Sequence, residues 1–128
     1  EKYGLDIYPQ ENLKVGLVYQ KMGLDAQATK FFNSYAAFCE KDESIYKSMN
    51  LAMKYVNAGK NDQAIAQLNV FATQENYFYW ILIYLEIDPL MKPLKNHPEF
   101  KEVIQKIEDR FWKNQTQLRK SLEEKGLI

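Results

Sequence analysis

His97 is the single histidine of the chain and Cys39 its single cysteine, so nucleophilic or metal chemistry would have to start from these two residues. A Cys–His catalytic pair needs both side chains adjacent in space and a third group to orient the base, and no motif in the sequence brings them together. His97 follows a lysine-rich turn and precedes Pro98, so it is expected to cap or decorate a loop. Cys39 falls on the apolar stripe of a helical pattern and is expected to be a buried thiol. Two candidate ligands are too few for a metal. The acidic pairs Asp42/Glu43, Glu108/Asp109 and Glu123/Glu124 are sequence neighbours, which do not converge on one point of a helix surface, so they read as solvated charge. No Gly-x-Gly-x-x-Gly, Walker-type or Gly-x-Ser-x-Gly element is present. Asn114-Gln115-Thr116 has the form of a glycosylation acceptor but falls in the middle of a helical pattern and reads as chance. No catalytic residue, metal ligand or cofactor is expected, and the chain reads as a non-enzyme.

Composition narrows the alternatives. The chain has 128 residues with 46% hydrophobic side chains, enough for one domain with a real core and too apolar for wholesale disorder. Lys and Arg (17) balance Asp and Glu (17), which argues against a dedicated nucleic-acid or anionic-membrane binder. A lone cysteine excludes an internal disulfide scaffold, and a cytoplasmic setting is expected. The longest apolar run, Tyr77 to Ile87, ends at Asp88-Pro89 and is shorter than the roughly 20 residues of a membrane helix.

Helical periodicity organises the rest. Apolar residues recur from Asn12 to Met22 and stop at Gly23. A second stripe (Ala28, Phe31, Phe32, Tyr35, Cys39) runs from Ala26 to the charged break at Glu40–Glu43. Ser44 is the expected N-cap of a third helix, closed by Gly59. Asn61 or Asp62 caps a fourth, and Asn76 opens a fifth, strongly apolar one. After Pro89, Pro93 and Pro98, one long helix spans about 98–125, with Phe100, Val103, Ile104, Ile107, Phe111, Leu118 and Leu122 on one face and Gly126 as its stop. The expected fold is all-α. The opening Glu1–Pro9 reads as a strap entering an excised module of a longer protein.

Two helix pairs repeat each other. Gly16, Tyr19, Gly23, Ala28 and Phe32 correspond to Ala52, Tyr55, Gly59, Ala64 and Leu68, offset by 36 residues throughout. Both turns have the same form, Gly-Leu-Asp-Ala-Gln-Ala and Gly-Lys-Asn-Asp-Gln-Ala. This small–aromatic–Gly–Ala–apolar series resembles the tetratricopeptide repeat, whose usual period is about 34 residues. The departures are Asn12 and Ser48 where a large aromatic is usual, and Glu40 and Asn76 where a proline is usual. The resemblance implies one domain of antiparallel helix pairs stacked as a short right-handed superhelix: repeat 1 over about 12–40, repeat 2 over about 44–74, a degenerate third helix and capping segment at 76–97, and the closing helix at about 98–125. The string Asp88-Pro89-Leu90-x-x-Pro93-Leu94-x-x-x-Pro98-x-Phe100 resembles the closing segment of tetratricopeptide regions in bacterial multidomain transcriptional regulators and signalling proteins. There such regions commonly follow a winged-helix or cyclase-type domain.

In that family the first helix of each pair lines a concave peptide-binding groove. Transferred by position, the groove would comprise Leu13, Leu17, Gln20 and Lys21 from repeat 1, and Tyr46, Met49, Met53, Val56 and Asn57 from repeat 2. Phe78 and Leu82 would follow from the third helix. This lining lacks the basic cluster that clamps a carboxylate terminus and suits an apolar segment of a partner protein. Either a partner peptide or the chain's own ends would fill it. The far half of the last helix keeps Trp112, Leu118 and Leu122, candidates for self-association into a homodimer. Basic residues outnumber acidic ones from Lys92 onward, a mild excess that reads as a solvated helix face. The expected function is therefore a regulatory protein–protein interaction module of a larger bacterial regulator, with a stand-alone peptide-binding adaptor or a dimerisation module as alternatives. Neither direct nucleic-acid contact nor membrane insertion is expected of this chain.

Overall fold

The computed structural model describes residues 8–128; the strap expected at Glu1–Pro9 lies, through Ile7, outside the described residues. Every element is helical: a 3₁₀ turn Pro9–Glu11, α1 (Asn12–Lys21), α2 (Asp25–Lys41), α3 (Lys47–Asn57), α4 (Asn61–Phe71), α5 (Trp80–Ile87), a 3₁₀ segment Pro89–Leu94 and α6 (Phe100–Glu124). No strand occurs among the described residues. Helices pack in adjacent pairs, α1 on α2 and α3 on α4, with α2 on α3 joining them. The fold is an all-α, repeat-like stack, closed by α6 against α4 and α5.

The repeated turns are superimposable in their hydrogen bonds. Gly23 N–H reaches Gln20 O at 3.0 Å and Leu24 N–H reaches Tyr19 O at 3.0 Å; Gly59 to Val56 and Lys60 to Tyr55 repeat this at 3.0 and 2.9 Å. Both glycines are left-handed, with φ of 74° and 71°. This pair of hydrogen bonds satisfies the last carbonyls of each first helix and reverses the chain. Between the helices of each pair, small residues permit close approach. A Cβ on Gly16 would meet Phe32 Cε1 at 2.5 Å, and Ala28 and Ala64 are fully buried. The second pair places Ala52 and Leu68 where the first has Gly16 and Phe32: one methyl more on one helix, a smaller side chain on the other. Asn12 and Ser48, the departures at equivalent positions, are the two buried polar residues among the described residues, and Asn12 Nδ2 donates to Ser34 Oγ at 3.0 Å.

Three element boundaries differ from expectation, each for a local reason. Ser44 caps a turn rather than a helix. Its Oγ accepts Tyr46 N–H at 3.2 Å while its own N–H bonds Asp42 Oδ1 at 2.8 Å, and α3 begins only at Lys47. Neither Asn61 nor Asp62 is the N-cap of α4; Lys60 occupies that place, without a side-chain cap bond. Asn76 opens no helix, because its φ of 63° turns the chain, a conformation asparagine tolerates better than most residues. Tyr77 is thereby sent into the core, its hydroxyl donating to Ile107 O, while Phe78 N–H donates to Tyr46 Oη at 3.1 Å. These bonds stand in for helical ones, and α5 starts four residues late, at Trp80.

Asp88 Oδ1 accepts Leu90 N–H at 2.8 Å and starts the proline-rich 3₁₀ segment, which buries Met91 and Leu94 against the stack. Below it, α6 buries Phe100, Val103, Ile107 and Phe111. Leu118 and Leu122 do not share this buried face, since no residue after Phe111 is buried. Helix α6 ends at Gly126 with the same pair of hydrogen bonds as the repeat turns.

Candidate interaction cleft

A cleft of about 660 Å³ opens where the first helices of the two pairs meet α5. Met49 and Met53 of α3 form its floor, and Phe38 at the end of α2 and Tyr46 before α3 form its sides. Trp80 and Tyr84 of α5, one helical turn apart, form the opposite wall. The rim carries Glu11, Lys14 and Asp42.

Aromatic contacts hold the walls. Tyr46 stacks on Phe71 (centroids 6.2 Å apart) and on Trp80 (6.1 Å), and Trp80 meets Tyr84 edge-on at 6.0 Å. Met53 is tied from both sides: Tyr84 Oη lies 3.4 Å and Tyr35 Oη 3.9 Å from its sulfur. Tyr35 Oη also reaches Asn50 O at 3.1 Å. Burial raises the Tyr84 hydroxyl pKa, and the Asp88 carboxylate adds to the rise; burial likewise raises Tyr35. Both remain neutral hydrogen-bond donors. Asp42 is partly desolvated, which disfavours its charge, but bonds from Ser44 and Asn50 outweigh this and hold its pKa below the ordinary carboxylate value. On the rim, Lys14 Nζ lies 3.8 Å from Glu11 Oε2 and 6.0 Å from the Tyr84 ring centroid.

Of the groove residues expected from sequence, Tyr46, Met49 and Met53 line this cleft. Leu13, Val56 and Leu82 do not: they are core residues, 1%, 5% and 8% exposed. Leu17 and Asn57 are half-buried away from it, Gln20 and Lys21 are exposed at the far end of α1, and Phe78 is exposed outside it. Lys14, Phe38, Asn50, Trp80 and Tyr84 went unrecognised. Trp80 and Tyr84 share one face of α5, but that helix is apolar on all sides, so the sequence carried no signal for which face meets α3.

The other chemical candidates lie elsewhere. Cys39 is fully buried, and burial pushes its thiol up to about 11, so it stays protonated near neutrality. His97 Nδ1 accepts Glu99 N–H at 3.2 Å, which leaves Nε2 to donate to Asp62 Oδ1 at 3.0 Å. The histidine thus tacks the capping segment to the first turn of α4. Among the described residues no three His, Cys, Asp or Glu side chains gather as a metal site. No helix among them is long and apolar enough to cross a membrane. On α6, Trp112 and Leu118 are half-exposed and Leu122 is partly covered. No family model matches the chain, and no curated protein or solved structure matches it.

Proposed function

We propose that this chain is a non-catalytic, tetratricopeptide-like interaction module that docks a segment of another protein in the cleft between α1, α3 and α5. One observation carries this: an open cleft of about 660 Å³ with an aromatic and methionine lining. The segment leading into it adds to the exposed apolar surface, since Phe78, Tyr79, Trp80, Ile83 and Ile87 are all 45% exposed or more. Contiguous apolar exposure of this kind is a mark of interaction surfaces. Selection of a displayed peptide library on the chain, followed by NMR shift mapping of the enriched peptides, tests the proposal. Shifts clustered on Lys14, Tyr46 and Trp80 are expected; enriched peptides that map elsewhere would overturn it. Met49 and Met53 are unsuited to charge substitution because both are nearly buried, so Trp80→Ala is the loss-of-binding variant.

The Asp88–Phe100 string supports a wider setting for the same module, as the regulatory part of a larger bacterial transcriptional regulator in the cytoplasm. Balanced charge supports DNA contact residing elsewhere in that protein. Intact-mass measurement of the native polypeptide tests this: a DNA-binding or signalling domain attached to the chain is expected, and a native mass near 15.1 kDa would refute it. Nanomolar, steeply salt-dependent DNA binding by the chain alone would also count against it.

A second reading, self-association through α6, is favoured by one observation. About 20 Å of helix from Trp112 to Glu124 carries no buried residue, yet displays Trp112 and Leu118. Light scattering of the chain against a variant lacking residues 112–128 tests it: a dimer that becomes a monomer supports the reading, and an unchanged mass removes it.

A further inference from the structure

We propose that the cleft recognises a cationic side chain, arginine or lysine, set within an apolar segment of the partner protein. This rests on the cleft being the docking site and names what it selects. Three features lead to it. The walls are aromatic: Tyr46 and Trp80 stack on each other at 6.1 Å with Tyr84 edge-on to Trp80, so a cation in the cleft meets the outward surface of this cluster, the Tyr84 ring face included. The charged groups at the rim are two carboxylates, Glu11 and Asp42, against one ammonium, Lys14. Asp42 is held in place by Asn50 Nδ2 at 2.8 Å and stays ionised, a fixed negative charge rather than a mobile one. Finally, the chain already places a cation here. The Lys14 ammonium lies 6.0 Å from the Tyr84 centroid and 3.8 Å from Glu11 while remaining half-exposed. An incoming guanidinium displaces this weakly held ammonium, takes over its aromatic face and its carboxylate, and leaves the flanking apolar residues over Met49 and Met53.

The test uses the whole chain, isotope-labelled, titrated with acetyl-Gly-Leu-Arg-Leu-Gly-amide and with analogues carrying lysine, norleucine or glutamate in place of the arginine. Binding is read from the Trp80 indole N–H resonance. The arginine and lysine peptides are expected to shift it, with norleucine about tenfold weaker and glutamate weaker still. Trp80→Ala, followed through the Lys14 and Tyr46 backbone amides because it lacks the indole, is expected to lose about tenfold for the arginine peptide, Lys14→Met to gain severalfold, and added salt to weaken binding. Lys14 is half-exposed, so its replacement leaves the fold intact, and an unchanged circular dichroism spectrum verifies this. Norleucine binding as well as arginine would overturn cation selection while leaving the docking cleft standing. Preference for glutamate would overturn it in favour of Lys14 as the recognition group. If no peptide moves the Trp80 resonance while other resonances shift, both the selection and the docking site fall.

Discussion

Repeat geometry is most sharply tested at Gly16. Replacing it with alanine adds a Cβ that would sit 2.5 Å from Phe32 Cε1, 2.7 Å from Cδ1 and 3.3 Å from Ala28 O. Carbon atoms prefer a separation of about 3.5–4.0 Å, so the ring must retreat by roughly 1 Å. Overpacking of this kind costs about 1–3 kcal/mol, whereas alanine in place of an interior helical glycine contributes about 1 kcal/mol of favourable propensity. The clash is the larger of the two, and Gly16→Ala is expected to destabilise the fold by about 1 kcal/mol, lowering Tm by about 4 °C. Phe32→Leu copies the arrangement of the second pair, where Ala52 and Leu68 are both fully buried. In that background the clash is gone, the propensity gain remains, and Gly16→Ala is expected to stabilise by about 1 kcal/mol. The double-mutant cycle should therefore give a coupling of about 2 kcal/mol between positions 16 and 32. Urea unfolding of the four proteins, followed by far-UV circular dichroism, supplies the cycle. If Gly16→Ala has the same effect in both backgrounds, within about 0.5 kcal/mol, the complementary sizing of the two repeats is wrong.

Three further outcomes follow from the same packing. Gly23→Ala and Gly59→Ala meet no atom within 4 Å, so only their positive φ resists a side chain; each should cost about 1 kcal/mol in urea midpoint analysis. Cys39, raised from 9.0 to about 11 by burial, keeps its proton in the folded state through a window where the unfolded chain loses it. Its contribution is whole below pH 9.0 and declines as pH climbs toward about 11, by up to roughly 3 kcal/mol. Unfolding titrations should show Cys39→Ala flattening part of that decline; Tyr77, pushed up to about 12, acts in the same direction and supplies the remainder together with the other buried tyrosines. Removal of residues 114–128 should change the urea midpoint little, because no side chain after Phe111 is buried; a large loss would show that the distal helix packs on the body.

The repeat was legible because its signals are local. Gly23 and Gly59 declare left-handed turns, Ala28 and Ala64 declare close helix crossings, and a common offset ties them together. The α4–α5 connection was not legible, because an unbroken apolar run from Tyr77 to Leu85 looks the same to a periodicity argument whether its first residues are coiled or extended. The deciding event was a single asparagine with φ of 63°, supported by the long-range bonds of Tyr77 to Ile107 and Phe78 to Tyr46. Because α5 is apolar on all sides, periodicity could not say which of its faces becomes the cleft wall. The groove residues transferred from repeat positions missed for a related reason. Leu13 and Lys14 are neighbours in sequence, but about 100° of helical rotation separates them, enough to put one in the core and the other on the rim.

The cleft joins a firm floor to a weaker wall, and this asymmetry bears on what a ligand would do. Its floor belongs to α3, whose Ala52, Met53 and Val56 lie in the core and whose Met53 sulfur receives two tyrosine hydroxyls. Its wall is α5, an 8-residue helix entered through a non-helical stretch at Tyr77–Tyr79. A helix that short is not stable by its own propensity and depends on Ile81 and Leu85 below and on the Trp80–Tyr46 stack beside it. Anything seated between Met53 and Trp80 adds contacts to the wall that the free chain lacks, so binding should stabilise α5 more than the paired helices. Hydrogen exchange with and without the arginine peptide would register this as slower exchange in Ile81–Leu85 against unchanged α1 and α2. Uniform slowing across all helices would instead mean that α5 opens only with the whole fold, and that the wall is as firm as the floor.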